Sequence, residues 1–221
     1  LGSPFARAVR IFLAELQLEY DKQVLMTALP IDEMASMTPT LQVPTLWDGG
    51  IVLWESTTII EYLLSTYGTA KGSSFDLTPA TYRPQFEWQD RLVLSTIQTF
   101  GTAATTISQM TWTGVTVTTN AHLDRSAKRL TFILGWLENQ LVDAKSGFQG
   151  NCVSIQDIFL ASHVRFVAAR PIGIDLHLPN YPKISALLDR LDERESFKAV
   201  PIWFWQPGVI AYEDDGTPIY K

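Results

Sequence analysis

Cysteine is almost missing from this chain: Cys152 is the single one among 221 residues. That excludes an intramolecular disulfide and any cysteine metal cluster, and points to a reducing compartment, the cytoplasm. The residue itself reads as a small buried hydrophobe. Histidine is nearly as scarce. His122, His163 and His177 stand far apart without metal-ligand spacing, so no metal is expected. No apolar run reaches the roughly 18 to 20 residues needed to span a bilayer, and no membrane association is expected. Basic residues are outnumbered, 17 Lys and Arg against 23 Asp and Glu, for a formal charge of -6. This balance argues against nucleic-acid partners, whose phosphates need neutralising. Secretory signal and internal repeats are also lacking. The sequence opens at Leu1-Gly2-Ser3 without Met, so a first strand ahead of it is expected. What is present, 46% apolar and 18% charged residues, suits a folded globular chain. The length admits one compact unit or two modest domains.

The first third mixes periods. Ser3 is a fitting N-cap and Pro4 a fitting first helical residue, ahead of Phe5, Val9, Phe12, Leu13 and Leu16 at helical spacing. A strand is expected over Tyr20 to Leu25 and a short helix over Ile31 to Met37. Gln42 to Trp47 and Ile51 to Trp54 flank Asp48-Gly49-Gly50, a hairpin signal. Ser56 opens a further helix with Ile59, Ile60, Leu63, Leu64 and Tyr67 buried, ended by Gly68.

A segment rich in Gly, Ser, Thr and Pro then reads as a linker. Beyond it the pattern is helical: Tyr82 to about Met110, His122 to Lys145, Ile155 to Ala169, Ile184 to Leu191 and Ser196 to Val200. The third of these is apolar almost all round and so should be central. Thr111 to Thr119 reads as an irregular connection, and no strand pair is expected here. The division expected is 1–68 as an α/β unit, 69–80 as linker and 81–221 as an all-helical unit.

Four short features follow one another: Ser3-Pro4-Phe5-Ala6-Arg7 running into Val9-Arg10-Ile11, then Val43-Pro44-Thr45-Leu46, then Glu55-Ser56, then Ser154-Ile155-Gln156-Asp157. The last is a capping box with Asp in the place of Glu, stapled by Val153 and Ile158, and reads as a stability element. Together, in this order, the four resemble the cytosolic glutathione transferase family over essentially the whole chain. The resemblance implies a thioredoxin-like α/β domain followed by an all-α helical domain, glutathione as co-substrate, no metal and a homodimer.

The resemblance also implies roles. Ser56, at a helix start, takes the γ-glutamyl carboxylate and Glu55 the α-amino group. Pro44 follows a cis bond that lets the Val43 backbone pair with the cysteinyl backbone of the tripeptide. Gln42 reaches the glycyl carboxylate. Ser3 falls where theta-, phi- and zeta-like members place a catalytic serine, whose hydroxyl favours the thiolate of a thiol with pKa of about 8.5. The plainer readings remain beside these: Ser3 and Ser56 as helix caps, Glu55 as a surface charge, Pro44 as an edge-strand proline. A Tyr or Cys upstream of Leu1 is an alternative to Ser3. Arg10 reads as a surface or interface ion pair, and Arg7 as a structural residue close enough to touch substrate. Phe5, Phe100, Met110, Trp112 and Trp203-Phe204-Trp205 are candidates for a pocket holding a small hydrophobic electrophile.

The function expected is conjugation of the glutathione thiolate to that electrophile. The alternatives are a protein of the same fold that binds glutathione or a partner without turnover, or a glutathione-dependent isomerase, dehalogenase or peroxidase. A glutaredoxin-like thiol chemistry is disfavoured, because no Cys lies near Ser3.

Overall fold

The structure, a computed structural model, describes residues 2–20, 29–68, 77–202, 209–212 and 218–220. Helix α1 (Pro4–Glu15) begins as its sequence dictates. Ser3 is extended at φ -80, ψ 124, Pro4 occupies the first position, and the Ala6 N–H donates to Ser3 Oγ at 3.3 Å. Its apolar stripe, Ala8, Ile11, Phe12 and Leu16, is buried. The strand expected from Tyr20 to Leu25 falls mostly outside the described residues, and Tyr20 itself is irregular.

Helix α2 (Ile31–Met37) precedes a two-stranded antiparallel hairpin, β1 (Thr45–Asp48) and β2 (Ile51–Trp54). Its turn glycines both take positive φ, 53° at Gly49 and 92° at Gly50, the geometry that a tight right-twisted hairpin requires and that favours glycine. The strand starts at Thr45, not Gln42 as the sequence suggests, since Pro44 has no N–H to give a ladder. β2 runs directly into α3 (Ser56–Tyr67), which buries Ile59, Ile60, Leu63 and Leu64. Tyr62 and Tyr67 both donate to Asp48 Oδ2, the former at 2.9 Å, and so tie α3 back to the hairpin turn.

The remaining described helices are α4 (Glu87–Trp112), α5 (Ala121–Gln140), α6 (Ile155–Ala168), α7 (Pro182–Asp192) and α8 (Glu195–Lys198). α6 is central: twelve of its residues are buried, it lies against α4, α7 and α1, and α1 in turn packs on α3 and α8. Ser154 caps α6 reciprocally with Asp157. The Asp157 N–H donates to Ser154 Oγ at 3.2 Å, and the Ser154 N–H donates to Asp157 Oδ2 at 2.8 Å. Asp157 Oδ1 also accepts the Phe148 N–H at 3.0 Å, which anchors the preceding loop.

Several boundaries differ from the sequence reading. α4 starts at Glu87, not Tyr82, because Pro84 leaves residues before it in turns, and it runs two residues past Met110 into the Thr-rich stretch. α5 starts at Ala121 under an Asn120 cap and stops at Gln140, because Leu141 is extended. A strand pair does occur after the helices: Val209–Tyr212 (β3) pairs antiparallel with Pro218–Tyr220 (β4). Cys152 is half-buried rather than buried, sitting in the turn just before the α6 cap. No described helix is long and apolar enough to cross a membrane.

Candidate functional site

Thr45 pairs with Trp54 at the open end of the hairpin, so Val43-Pro44 leads into one strand of that end and Glu55-Ser56 leaves the other. The Val43–Pro44 bond is cis. Among the described residues nothing hydrogen-bonds the Val43 backbone, which leaves its amide and carbonyl available to an added extended strand. Gln42 beside it is exposed.

Across the ladder, Glu55 is the N-cap of α3 in a left-handed conformation, φ 67 and ψ 108. Such backbone costs of order 1–3 kcal/mol for a residue with a side chain, and concentrates where ligands are clamped. The Glu55 side chain makes no capping bond. Ser56 is thus the first helical residue rather than the cap, and it is buried. No described group accepts the N–H of Ser56, Thr57 or Thr58. A helix start with open donors and a buried hydroxyl is matched to a carboxylate. Thr57 Oγ1 accepts from Gln98 Nε2 of α4 at 2.9 Å, so this helix start is held from the helical half of the chain.

Ser3 stands at the start of α1, which packs against α3. Its Oγ accepts the Ala6 N–H, and among the described residues nothing takes its own proton. Arg7 is buried, with Nε donating to Val200 O at 2.9 Å and its guanidinium 5.5 Å from the Phe197 ring. Among the described residues Arg10 makes no ion pair; its Nε donates to Tyr20 Oη at 3.3 Å.

The candidates for the second-substrate pocket differ in exposure. Phe5 is half-buried, edge-on to the His163 ring at 4.7 Å. Phe100 is fully buried in the core face of α4, and lines no open pocket because its whole surface is used in packing. Met110 and Trp112 are partly exposed in the last turn of α4. Trp203-Phe204-Trp205 lie outside the described residues. A cleft of about 350 Å³ between α4 and α5 is lined by Gln98, Thr102, Thr106, His122, Ser126 and Arg129, and contains none of these candidates. No described group of His, Cys, Asp or Glu has a metal-holding arrangement.

His163 is what sequence reasoning passed over. It is fully buried on α6 between Phe5 and Phe159, neither ring nitrogen has a partner, and desolvation lowers its pKa to about 3. Its only signal in sequence is a lone histidine in an otherwise apolar helix.

A family profile described as glutathione S-transferase, N-terminal domain, matches residues 2–66. Glutathione S-transferase D7 of Anopheles gambiae is 31% identical over 159 residues, covering 72% of this chain and 66% of its own length. The chain belongs to the cytosolic glutathione S-transferase family. The chain thus spans just under two thirds of that relative. Dichloromethane dehalogenase of Methylophilus leisingeri is 26% identical over 220 residues, 96% of this chain and 80% of that one. Among solved structures, a glutathione S-transferase of Methylobacterium radiotolerans in complex with glutathione sulfonate superposes with a TM-score of 0.74 at 21% identity, covering 95% of this chain and 96% of that one. One of Methylobacillus flagellatus with glutathione bound gives 0.72 at 19% identity, with 90% and 95% covered. The fold is therefore that of a glutathione S-transferase: a thioredoxin-like N-terminal domain, to which α1 and the hairpin belong, and a helical C-terminal domain built around α6.

Proposed function

We propose that this glutathione S-transferase joins the thiol sulfur of glutathione to a hydrophobic electrophile, working in the cytoplasm as a homodimer. In this reading the γ-glutamyl carboxylate rests on the start of α3 at Ser56, Glu55 meets the α-amino group, the Val43 backbone pairs with the cysteinyl unit, and Gln42 takes the glycyl end. Ser3 holds the sulfur.

The observation that carries the proposal is the state of the Ser3 hydroxyl. One of its lone pairs takes the Ala6 N–H and its proton has no acceptor among the described residues, so it is a donor at a helix N-terminus. A thiol of pKa about 8.5 is mostly protonated at neutral pH. Lowering it by about two units takes roughly 2.7 kcal/mol of preference for the anion. A charge-assisted hydrogen bond with the helix dipole is of that size. The thiolate then attacks an electrophilic carbon. The carbon–sulfur bond forms, the leaving group departs with its electron pair, and proximity of the two substrates does the rest.

The dehalogenase relative favours a second reading, in which the same thiolate displaces halide from a small haloalkane. One experiment addresses both. The protein is titrated with glutathione at neutral pH while the ultraviolet band of the thiolate is followed, and turnover is measured with an activated aryl halide and with dichloromethane. Thiolate formation with aryl-halide turnover supports conjugation, and halide release from dichloromethane alone supports dehalogenation. Binding without a thiolate band overturns both in favour of a non-catalytic glutathione binder. Ser56→Ala should raise the glutathione Kd about tenfold, as expected for losing one charge-assisted hydrogen bond.

A further inference from the structure

The geometry points to a single water molecule held beneath Ser3 by Arg7 and Ser162, which makes those two residues positioning elements for the serine. A small recess of about 10 Å³ lies at the start of α1, lined by Gly2, Ser3, Pro4, Arg7, Ser162, Phe166 and Ile202. That is room for one water. Arg7 reaches it from α1 and Ser162 from α6, so it sits between the two halves of the chain.

Both polar side chains are more than nine-tenths buried, Ser162 at 0% and Arg7 at 7% exposure. Among the described residues Ser162 Oγ and Arg7 Nη1 have no hydrogen-bond partner. An orphaned buried donor or acceptor costs about 1–3 kcal/mol, and two such atoms on residues that line one water-sized recess are satisfied together by a water that accepts from Arg7 and exchanges a hydrogen bond with Ser162. The charges facing Arg7 are Asp192, Arg165 and Arg10. Asp192 is bonded to Arg165 at 2.6 Å, so its charge is shared between that arginine and Arg7. Burial brings the Arg7 pKa down to about 10, which leaves it cationic at neutral pH.

The link to Ser3 is short. The Arg7 N–H donates to Ser3 O at 3.0 Å and the Ala6 N–H to Ser3 Oγ, so one helical turn carries both the serine and the arginine. A water joining Arg7 to Ser162 fastens that turn to the rigid central helix α6. Without it, the Ser3 hydroxyl loses its aim while the tripeptide contacts at α3 are untouched.

This rests on the proposed role of Ser3 at the sulfur, and the test separates the two. A crystal structure at about 1.2 Å resolution should show one ordered water within about 3.2 Å of both Arg7 Nη1 and Ser162 Oγ. Ser162→Ala should empty the site, leave glutathione Kd within twofold, and raise the pKa of the bound thiol, read from its ultraviolet pH titration, by about half a unit. A dry cavity, a direct Arg7–Ser162 hydrogen bond, or an anomalous peak there after a bromide soak overturns the water. An unmoved thiol titration in Ser162→Ala overturns the positioning role. Ser3→Ala is measured alongside: if it too leaves the titration unmoved, the reading of Ser3 has failed, and the density alone then decides the water.

Discussion

Gly101 on α4 faces the His163 imidazole on α6 so closely that a Cβ atom at position 101 would lie 2.5 Å from Nε2. The two helices touch through this glycine, and the ring it admits also packs against Phe5 and Phe159. Gly101→Ala, which in an exposed helix would stabilise by nearly 1 kcal/mol, should here destabilise by about 1–3 kcal/mol through overpacking. Urea denaturation checks this. The second substitution His163→Ala should make the alanine at 101 much less costly, a coupling that independent sites do not show.

The same histidine sets a pH dependence. Burial depresses its folded pKa to about 3, while the unfolded chain titrates near 6.5. Between those values the unfolded state binds the extra proton, so stability is fully present above about 6.5 and falls as pH drops, by up to about 1.4 kcal/mol per unit. Unfolding free energies at pH 7.5 and pH 5 should differ by about 2 kcal/mol more in the parent than in His163→Gln. Equal differences would remove His163 as the cause.

How far sequence reaches is visible in particular residues. Ser3-Pro4 and Ser154…Asp157 are local signals, complete within one helical turn, and α1 and α6 begin where they stand. The hairpin likewise follows from Asp48-Gly49-Gly50. Phe100 and Met110 carry the same apolar label, yet one is sealed in the core and the other partly exposed, because only helix packing decides which side of α4 is covered. The β3–β4 pair was hidden because short strands after a run of helices give little periodicity. Gln98 could not be tied to Thr57 from sequence at all: 41 positions separate them, and nothing in either residue type announces the contact.

α1 is also fastened at its other end. Glu15 is buried, and Arg194 grips it twice, Nε to Oε1 and Nη2 to Oε2, each at 2.7 Å, with the Ser196 hydroxyl donating to Oε1. A carboxylate in that place depends on its donors. Arg194→Met should cost about 3–5 kcal/mol, because it strands the charge. Glu15→Leu with Arg194→Met should recover most of that loss, since a well-packed apolar pair avoids desolvation. Thermal or urea unfolding of the two variants decides it. If the double variant is as unstable as the single, the pair contributes more than mutual charge compensation.

Ser3 has two jobs in this reading, cap and thiol partner, and they are separable. As a cap, its loss in Ser3→Ala should cost about 1 kcal/mol of folding stability. As donor to a thiolate, its loss removes a hydrogen bond to a charged group, worth about 1.5–3 kcal/mol, so kcat/KM should fall by about 10- to 150-fold. Ser3→Gly costs the cap only a few tenths of a kcal/mol yet removes the hydroxyl entirely. Glycine at position 3 should therefore restore stability without restoring the rate. The pH at which the rate is half-maximal should rise toward the free thiol value of about 8.5 in both variants. Parent-like rates in Ser3→Gly would show that the hydroxyl serves the helix alone and that another group activates the sulfur.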